Sequence, residues 1–162
     1  MVRTVLRYPH PALKEVARAL EPHEAAETAR VAGDLVDTME AFGHCVGLAA
    51  TQLGEMVRIV VVDVSGHPKA TSSNGRLVLV NPRIVGAEGA EVGREGCLSI
   101  PELTANVRRA TAVEVESTGG RVRAEGFEAR CLQHEFDHLD GVLFLDRVDS
   151  LTADVFRRKR RG

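Results

Sequence analysis

Phe127-Glu128-Ala129-Arg130-Cys131-Leu132-Gln133-His134-Glu135-Phe136-Asp137-His138-Leu139 is the stretch around which this 162-residue sequence organises itself. It opens after Gly126, contains no proline or glycine, and meets Gly141 just past its end, which predicts a helix from about Phe127 to Leu139. Within it, His134-Glu135-x-x-His138 has the form H-E-x-x-H. Positions i and i+4 lie one turn apart on one helix face, so both imidazoles can address one metal ion. Glu135 is about 100° round from His134, near the rim of that face, where it can act on a water without becoming a ligand. A bare H-x-x-x-H would read more simply as two satisfied histidines on an amphipathic helix; the intervening Glu and a spare thiol shift the reading to a metal site. Two histidines need a third partner. No histidine follows His138 and no glutamate follows Glu135, which removes the usual downstream ligands of H-E-x-x-H proteases. The best third ligand is upstream, Cys97 in Glu95-Gly96-Cys97-Leu98-Ser99, where a neighbouring glycine allows close approach.

The bulk numbers bound the alternatives. The 21 basic and 23 acidic residues give a formal charge of -2, which argues against a dedicated nucleic-acid (DNA-binding) role. With 44% hydrophobic and 27% charged residues, the composition is that of a soluble domain, and the length suits one catalytic domain spanning 1–162. No stretch approaches the roughly 18 apolar residues of a membrane span, and no targeting signal is evident, so a cytoplasmic location is expected. The odd set Cys45, Cys97 and Cys131 argues against a disulfide framework and leaves thiols for packing, catalysis or metal.

Outward from the helix, Val31, Leu35, Val36, Met39 and Phe42 recur at helical spacing and predict a helix over Glu24–Phe42. Val57–Asp63, rich in β-branched residues, reads as a buried strand, and Leu77–Val80 as a strand that stops at Asn81-Pro82. His67–Gly75 reads as a loop. Gly86–Gly96, with its four glycines, reads as a turn-rich connection. Thr111–Glu116 and Arg121–Glu125 flank Thr118-Gly119-Gly120 as a hairpin. A short helix is expected from Leu151 into the basic tail. Strands and helices mix without a βαβ rhythm, so the fold class expected is α+β.

Three segments carry a family resemblance. Cys45-Val46-Gly47-Leu48-Ala49-Ala50-Thr51-Gln52 is similar to G-x-G-L-A-A-x-Q, Glu95-Gly96-Cys97-Leu98-Ser99 matches E-G-C-L-S, and Gln133-His134-Glu135-Phe136-Asp137-His138-Leu139-Asp140-Gly141 matches Q-H-E-x-D-H-L-x-G. In this order they resemble the bacterial and organellar peptide deformylases over nearly the whole chain. The resemblance implies an α+β fold with antiparallel and mixed sheets packed around a central metal-binding helix. It also implies hydrolysis of the formyl group from the N-terminal formylmethionine of newly made polypeptides. One divalent ion is implied, ferrous iron by the family's habit, with zinc, nickel or cobalt able to replace it; a Cys-His-His set suits them all. Glu135 then takes the proton of the attacking water and passes it to the leaving amine. The Gln52 side-chain amide and the Leu98 backbone N–H are implied as donors to the tetrahedral oxyanion.

Gly47, Ala49 and Ala50 leave room for backbone beside an extended peptide, so backbone groups of Val46, Gly47 and Gly96 are expected to pair with the substrate main chain. The methionine side chain needs an apolar pocket, for which Val46, Phe127 and Cys131 are the expected walls. Asp137 is expected to orient a ligand or to pair with Arg108 or Arg109, and Arg130 to line the rim with its charge in water. Cys45 stands where the family pattern has glycine; a left-handed backbone there would strain it. The tail Arg157–Arg161 is either a solvated terminus or a contact for ribosomal RNA. An endopeptidase and a silent metal-binding domain are the competing classes.

Overall fold

A computed structural model of the chain describes residues 1–158. The first helix, α1 (Ala25–Ala41), buries Val31, Leu35 and Met39 at the predicted spacing. Then come β1 (Gly47–Ala49), β2 (Ile59–Val62) and β3 (Leu77–Val80), an antiparallel sheet in the order β1-β2-β3. All four residues of β2 are buried, as a β-branched run between two neighbours on both faces requires. The strand β3 stops at Asn81, which takes φ 51° and bonds the backbone of Leu20 through both ends of its amide.

The segment Gly86–Gly96 is not a turn-rich connection. It contributes to β4 (Arg83–Glu88) and β5 (Glu91–Cys97), joined by a turn in which Gly89 alone has positive φ, at 72°. The later glycines are strand residues crowded from outside. A Cβ at Gly93 would lie 2.8 Å from Arg130 Cζ, and one at Gly96 would collide with the Arg158 guanidinium. Composition marks both as turns; in the fold both are strand residues over which an arginine guanidinium lies.

Next, β6 (Ile100–Arg109) pairs with β5, and the hairpin of β7 (Ala112–Ser117) and β8 (Gly120–Glu125) closes at Ser117↔Gly120, as its turn signal predicts. The second helix, α2 (Gly126–Leu139), follows at once. The expected helix from Leu151 is only α3 (Leu151–Asp154); Val155-Phe156 then favour extension, and β9 (Val155–Arg157) pairs with β6. The tail residues Lys159–Arg161 lie outside the described residues.

The other two sheets run β4-β7-β8 and β5-β6-β9, both antiparallel. The fold is α+β, and α2 is its centre. Leu132, Phe136 and Leu139 of α2 pack with Val60, Val62, Val113 and Val115 from two sheets. Full burial of Leu132 and Leu139 contributes about 1.5–3 kcal/mol each. At its end, Gly141 has φ 71°, and a Cβ there would sit 2.5 Å from the Lys14 carbonyl oxygen. The end of the metal-motif helix is thereby held close against the backbone at Lys14. Among the described residues no helix is long and apolar enough to cross a membrane.

Candidate metal centre

Helix α2 sets His134 and His138 on one face, with ring centroids 5.1 Å apart. Cys97 comes from a different sheet. It is the last residue of β5, where the register against β6 slips between Gly96 (opposite Thr104) and Cys97 (opposite Ile100). Such an irregularity re-aims a side chain. The ligand-capable atoms of Cys97, His134 and His138 all lie within 4.8 Å of one another, and Cys97 Sγ is 3.3 Å from His138 Nε2. Burial resists ionisation of the Cys97 thiol, but the adjoining His138 and His134 hold it well below its ordinary range. A thiolate beside two imidazoles is the donor set that a borderline divalent ion takes.

His134 is aimed by Glu95. Its Nδ1 is 2.9 Å from Glu95 Oε1, which fixes Nδ1 as the donor and leaves Nε2 for the triad. Glu95 also accepts a two-pronged pair from Arg109 (2.9 and 3.0 Å) and a bond from Arg130 (2.8 Å). Burial raises the affinity of the Glu95 carboxyl for a proton, yet hydrogen bonds from His134 and Arg109 outweigh it and hold the pKa at about 2. Asp137 accepts from Arg109 (2.6 Å) and from Arg147 (3.0 and 2.8 Å), so both readings of Asp137 meet: it pairs with Arg109 and thereby braces the residue that orients His134. The charge of Arg130 is not in water. It is spent on Glu95 and the carbonyls of Val107 and Glu91.

Glu135 is buried beside the triad. Burial pushes its carboxyl up, against the pull of His134 and His138. Its Oε1 has no hydrogen-bond partner among the described residues. Its Oε2 faces Gly47, where a Cβ would come within 2.8 Å. The missing side chain at Gly47 thus makes room for Glu135 as well as for any peptide. Gly47→Ala is expected to lower kcat by about 10-fold or more with little loss of stability, because a flexible carboxylate can move aside but then no longer sits where a proton must be taken. Stopped-turnover kinetics with a thermal melt alongside checks this.

Gln52 stands in a 3₁₀ turn, Ala50–Leu53, and is 2% exposed. Its Oε1 accepts from the Ala49 N–H at 3.0 Å. Its Nε2 donates to Ser99 Oγ at 3.0 Å and touches Cys97 Sγ at 3.5 Å. Ser99, like Glu95, lies inside the E-G-C-L-S segment without being singled out by its residue type.

A cavity of about 340 Å³ opens over the triad. Val46, Gly47, Gln52, Gly96, Cys97, Leu98, Phe127, Cys131, His134 and Glu135 all line it, whereas His138 is set behind. Both β1 and β5 are edge strands, and their Gly47 and Gly96 face this one space. The Val46 carbonyl already accepts from the Asp63 N–H at 2.9 Å, and its own N–H has no partner among the described residues. Phe127 stacks on His67 at 4.4 Å. Cys45 has no left-handed backbone and so carries none of the strain its position suggested. Its thiol donates to the Gly47 carbonyl at 3.1 Å and is pushed up to about 12 by burial, which keeps it protonated.

A sequence profile of the family described as polypeptide deformylase matches residues 2–154. The chain belongs to the polypeptide deformylase family. It is 42% identical over 161 residues to a peptide deformylase of Alkalilimnicola ehrlichii, covering 96% of this chain and 86% of that one. Among solved structures, a peptide deformylase from Legionella pneumophila superposes with TM-score 0.82 at 35% identity, covering 93% of this chain and 88% of the other. A class I type b peptide deformylase from Acinetobacter baumannii with Met-Ala-Ser bound gives 0.83 at 32%, covering 91% and 99%. Deformylases hydrolyse the formyl group from N-terminal formylmethionine, and the chain is a hydrolase of that class, acting on nascent formylated polypeptides.

Proposed function

We propose that Cys97, His134 and His138 hold one divalent ion, ferrous iron by preference, and that residues 1–162 act as one catalytic domain on formyl-Met chains in the cytosol. The observation that carries this reading is the convergence of a bulged strand end and one helix face on a single point, with a buried carboxylate and a buried amide beside it. When bound, a divalent ion supplies Lewis-acid chemistry, acidifying water and polarising the formyl carbonyl. The chain's own residues do the rest. Glu135 takes the proton of the attacking water at Oε1, whose lack of a protein partner leaves it open to do so, and returns it to the leaving amine. Burial, which raises its proton affinity, suits both transfers.

Gln52 Nε2 turns one hydrogen to Ser99 and has the other only in a long contact with Cys97. That second hydrogen, with the Leu98 N–H, is assigned to the developing oxyanion. Gln52→Ala is expected to lower kcat by about 10²–10³-fold with metal content intact; equal kcat in a metal-replete variant removes Gln52 from this role.

The substrate main chain is assigned to the exposed edges at Val46–Gly47 and Gly96, added as a strand. Its methionine side chain is assigned to the apolar wall of Val46, Phe127 and Cys131. The Met-Ala-Ser held by the Acinetobacter relative is the product such a scheme would leave. Contact with ribosomal RNA is assigned to the basic tail. Formyl-Met-Ala-Ser and an internally cleavable peptide blocked at both ends, offered together to the ferrous enzyme, test the reading. Formate and intact blocked peptide are expected; cleavage of the blocked peptide would make the chain an endopeptidase.

A further inference from the structure

The mouth of the cavity over the triad is cationic, though the chain as a whole carries a formal charge of -2. Its charges come from three separate segments. Lys69 lies on the loop after β2, Arg94 on β5, and Arg158 just beyond β9; all three are exposed. Among the described residues none of the three has an ion-pair partner, whereas the arginines elsewhere around the site are paired. Arg94 is held in place by neutral groups: Asn106 Oδ1 at 3.2 Å, Thr104 Oγ1 at 3.3 Å, and the ring of Phe156 at 3.8 Å. Its position is fixed and its charge is not cancelled. The Arg158 guanidinium lies against Gly96, on the edge of β5 that faces the cavity.

The opposite wall is fixed too. The loop carrying Lys69 is tied to α2 where Asn74 donates to Glu128 at 2.8 and 2.6 Å, and Glu128 is 1% exposed. Among the described residues, the only carboxylates lining the cavity are Glu95 and Glu135. Both are buried, and Glu95 is consumed by Arg109, Arg130 and His134.

An extended peptide gains about 3.3 Å per residue. With formyl-Met at the triad, the next two residues pass between these walls. We infer that Lys69, Arg94 and Arg158 select formyl-Met chains with acidic second and third residues. This rests on the deformylase reading.

The test compares kcat/KM for formyl-Met-Asp-Glu, formyl-Met-Ala-Ser and formyl-Met-Lys-Lys on the ferrous enzyme at low and high salt. Single exposed ion pairs are worth small factors, so about tenfold between the acidic and basic peptides is expected at low salt. The ratio shrinks as KCl is added, because exposed charges are screened within a Debye length of about 8 Å at physiological ionic strength. In Lys69→Gln/Arg94→Gln the ratio falls to within about threefold of unity, two of the three contacts being gone. Equal rates, a preference for the basic peptide, a preference indifferent to salt, or a full preference in the double variant would each overturn the inference while leaving the deformylase reading standing. No formate from any peptide, formyl-Met-Ala-Ser included, would overturn that reading and this inference with it.

Discussion

Glu135→Gln, loaded with ferrous iron, is expected to keep its metal and to release formate about 10²–10⁴-fold more slowly than the parent enzyme. The substitution is nearly isosteric, so the amide occupies the space that Gly47 leaves open. The ligand set contains no Glu135 atom, and metal content should not change. What is lost is a proton acceptor at Oε1, a buried atom with no other task among the described residues. Metal analysis and formate release on the same preparation separate the two effects. A variant within threefold of the parent would show that another group moves the proton. Loss of iron would show Glu135 to be a ligand.

Glu95→Ala is expected to have the largest effect on the fold. Glu95 is the one carboxylate that receives Arg109, Arg130 and His134 together, and the side chains of Glu95 and Arg109 are each only 4% exposed. Removing it strands buried positive charge, which costs about 3–5 kcal/mol in comparable buried pairs. It also frees the His134 ring to turn, and loss of such a partner weakens metal binding by about 10–100-fold. Urea unfolding of the metal-free protein reads the first effect, and competition with a chelator reads the second. A stability change under about 1 kcal/mol with unaltered metal affinity would mean that Arg109 and Asp137 hold the site without Glu95.

The contrast between these two residues shows what a sequence discloses. Glu135 was legible because its relation to His134 and His138 is local, fixed by helix periodicity over five residues. Cys97 was reachable by elimination, since no downstream histidine or glutamate remained. The convergence of Arg109, Arg130 and His134 on Glu95 was not, because those partners stand 14 to 39 residues from it and their meeting depends on how β5, β6 and α2 pack. Gly93 and Gly96 misled for a related reason. A glycine over which a neighbour's guanidinium lies has the same letter as one made necessary by a turn. The short extension Val155–Arg157 was hidden behind the helix-like start at Leu151, and its partner β6 disguised itself with polar residues on a central strand. Cys45 offered the opposite lesson: its departure from the glycine pattern suggested strain, but its backbone is ordinary and its thiol is quietly bonded.

The proposed chemistry depends on one divalent ion held by Cys97, His134 and His138. Anaerobic titration of the metal-stripped enzyme with ferrous iron, following formate release from formyl-Met-Ala-Ser, puts that dependence to the test. Activity is expected to rise in step with bound iron, to reach its plateau at one ion per chain, and to be absent in Cys97→Ala at the same iron concentration. Full formate release from the stripped enzyme, or undiminished activity in Cys97→Ala, would contradict it.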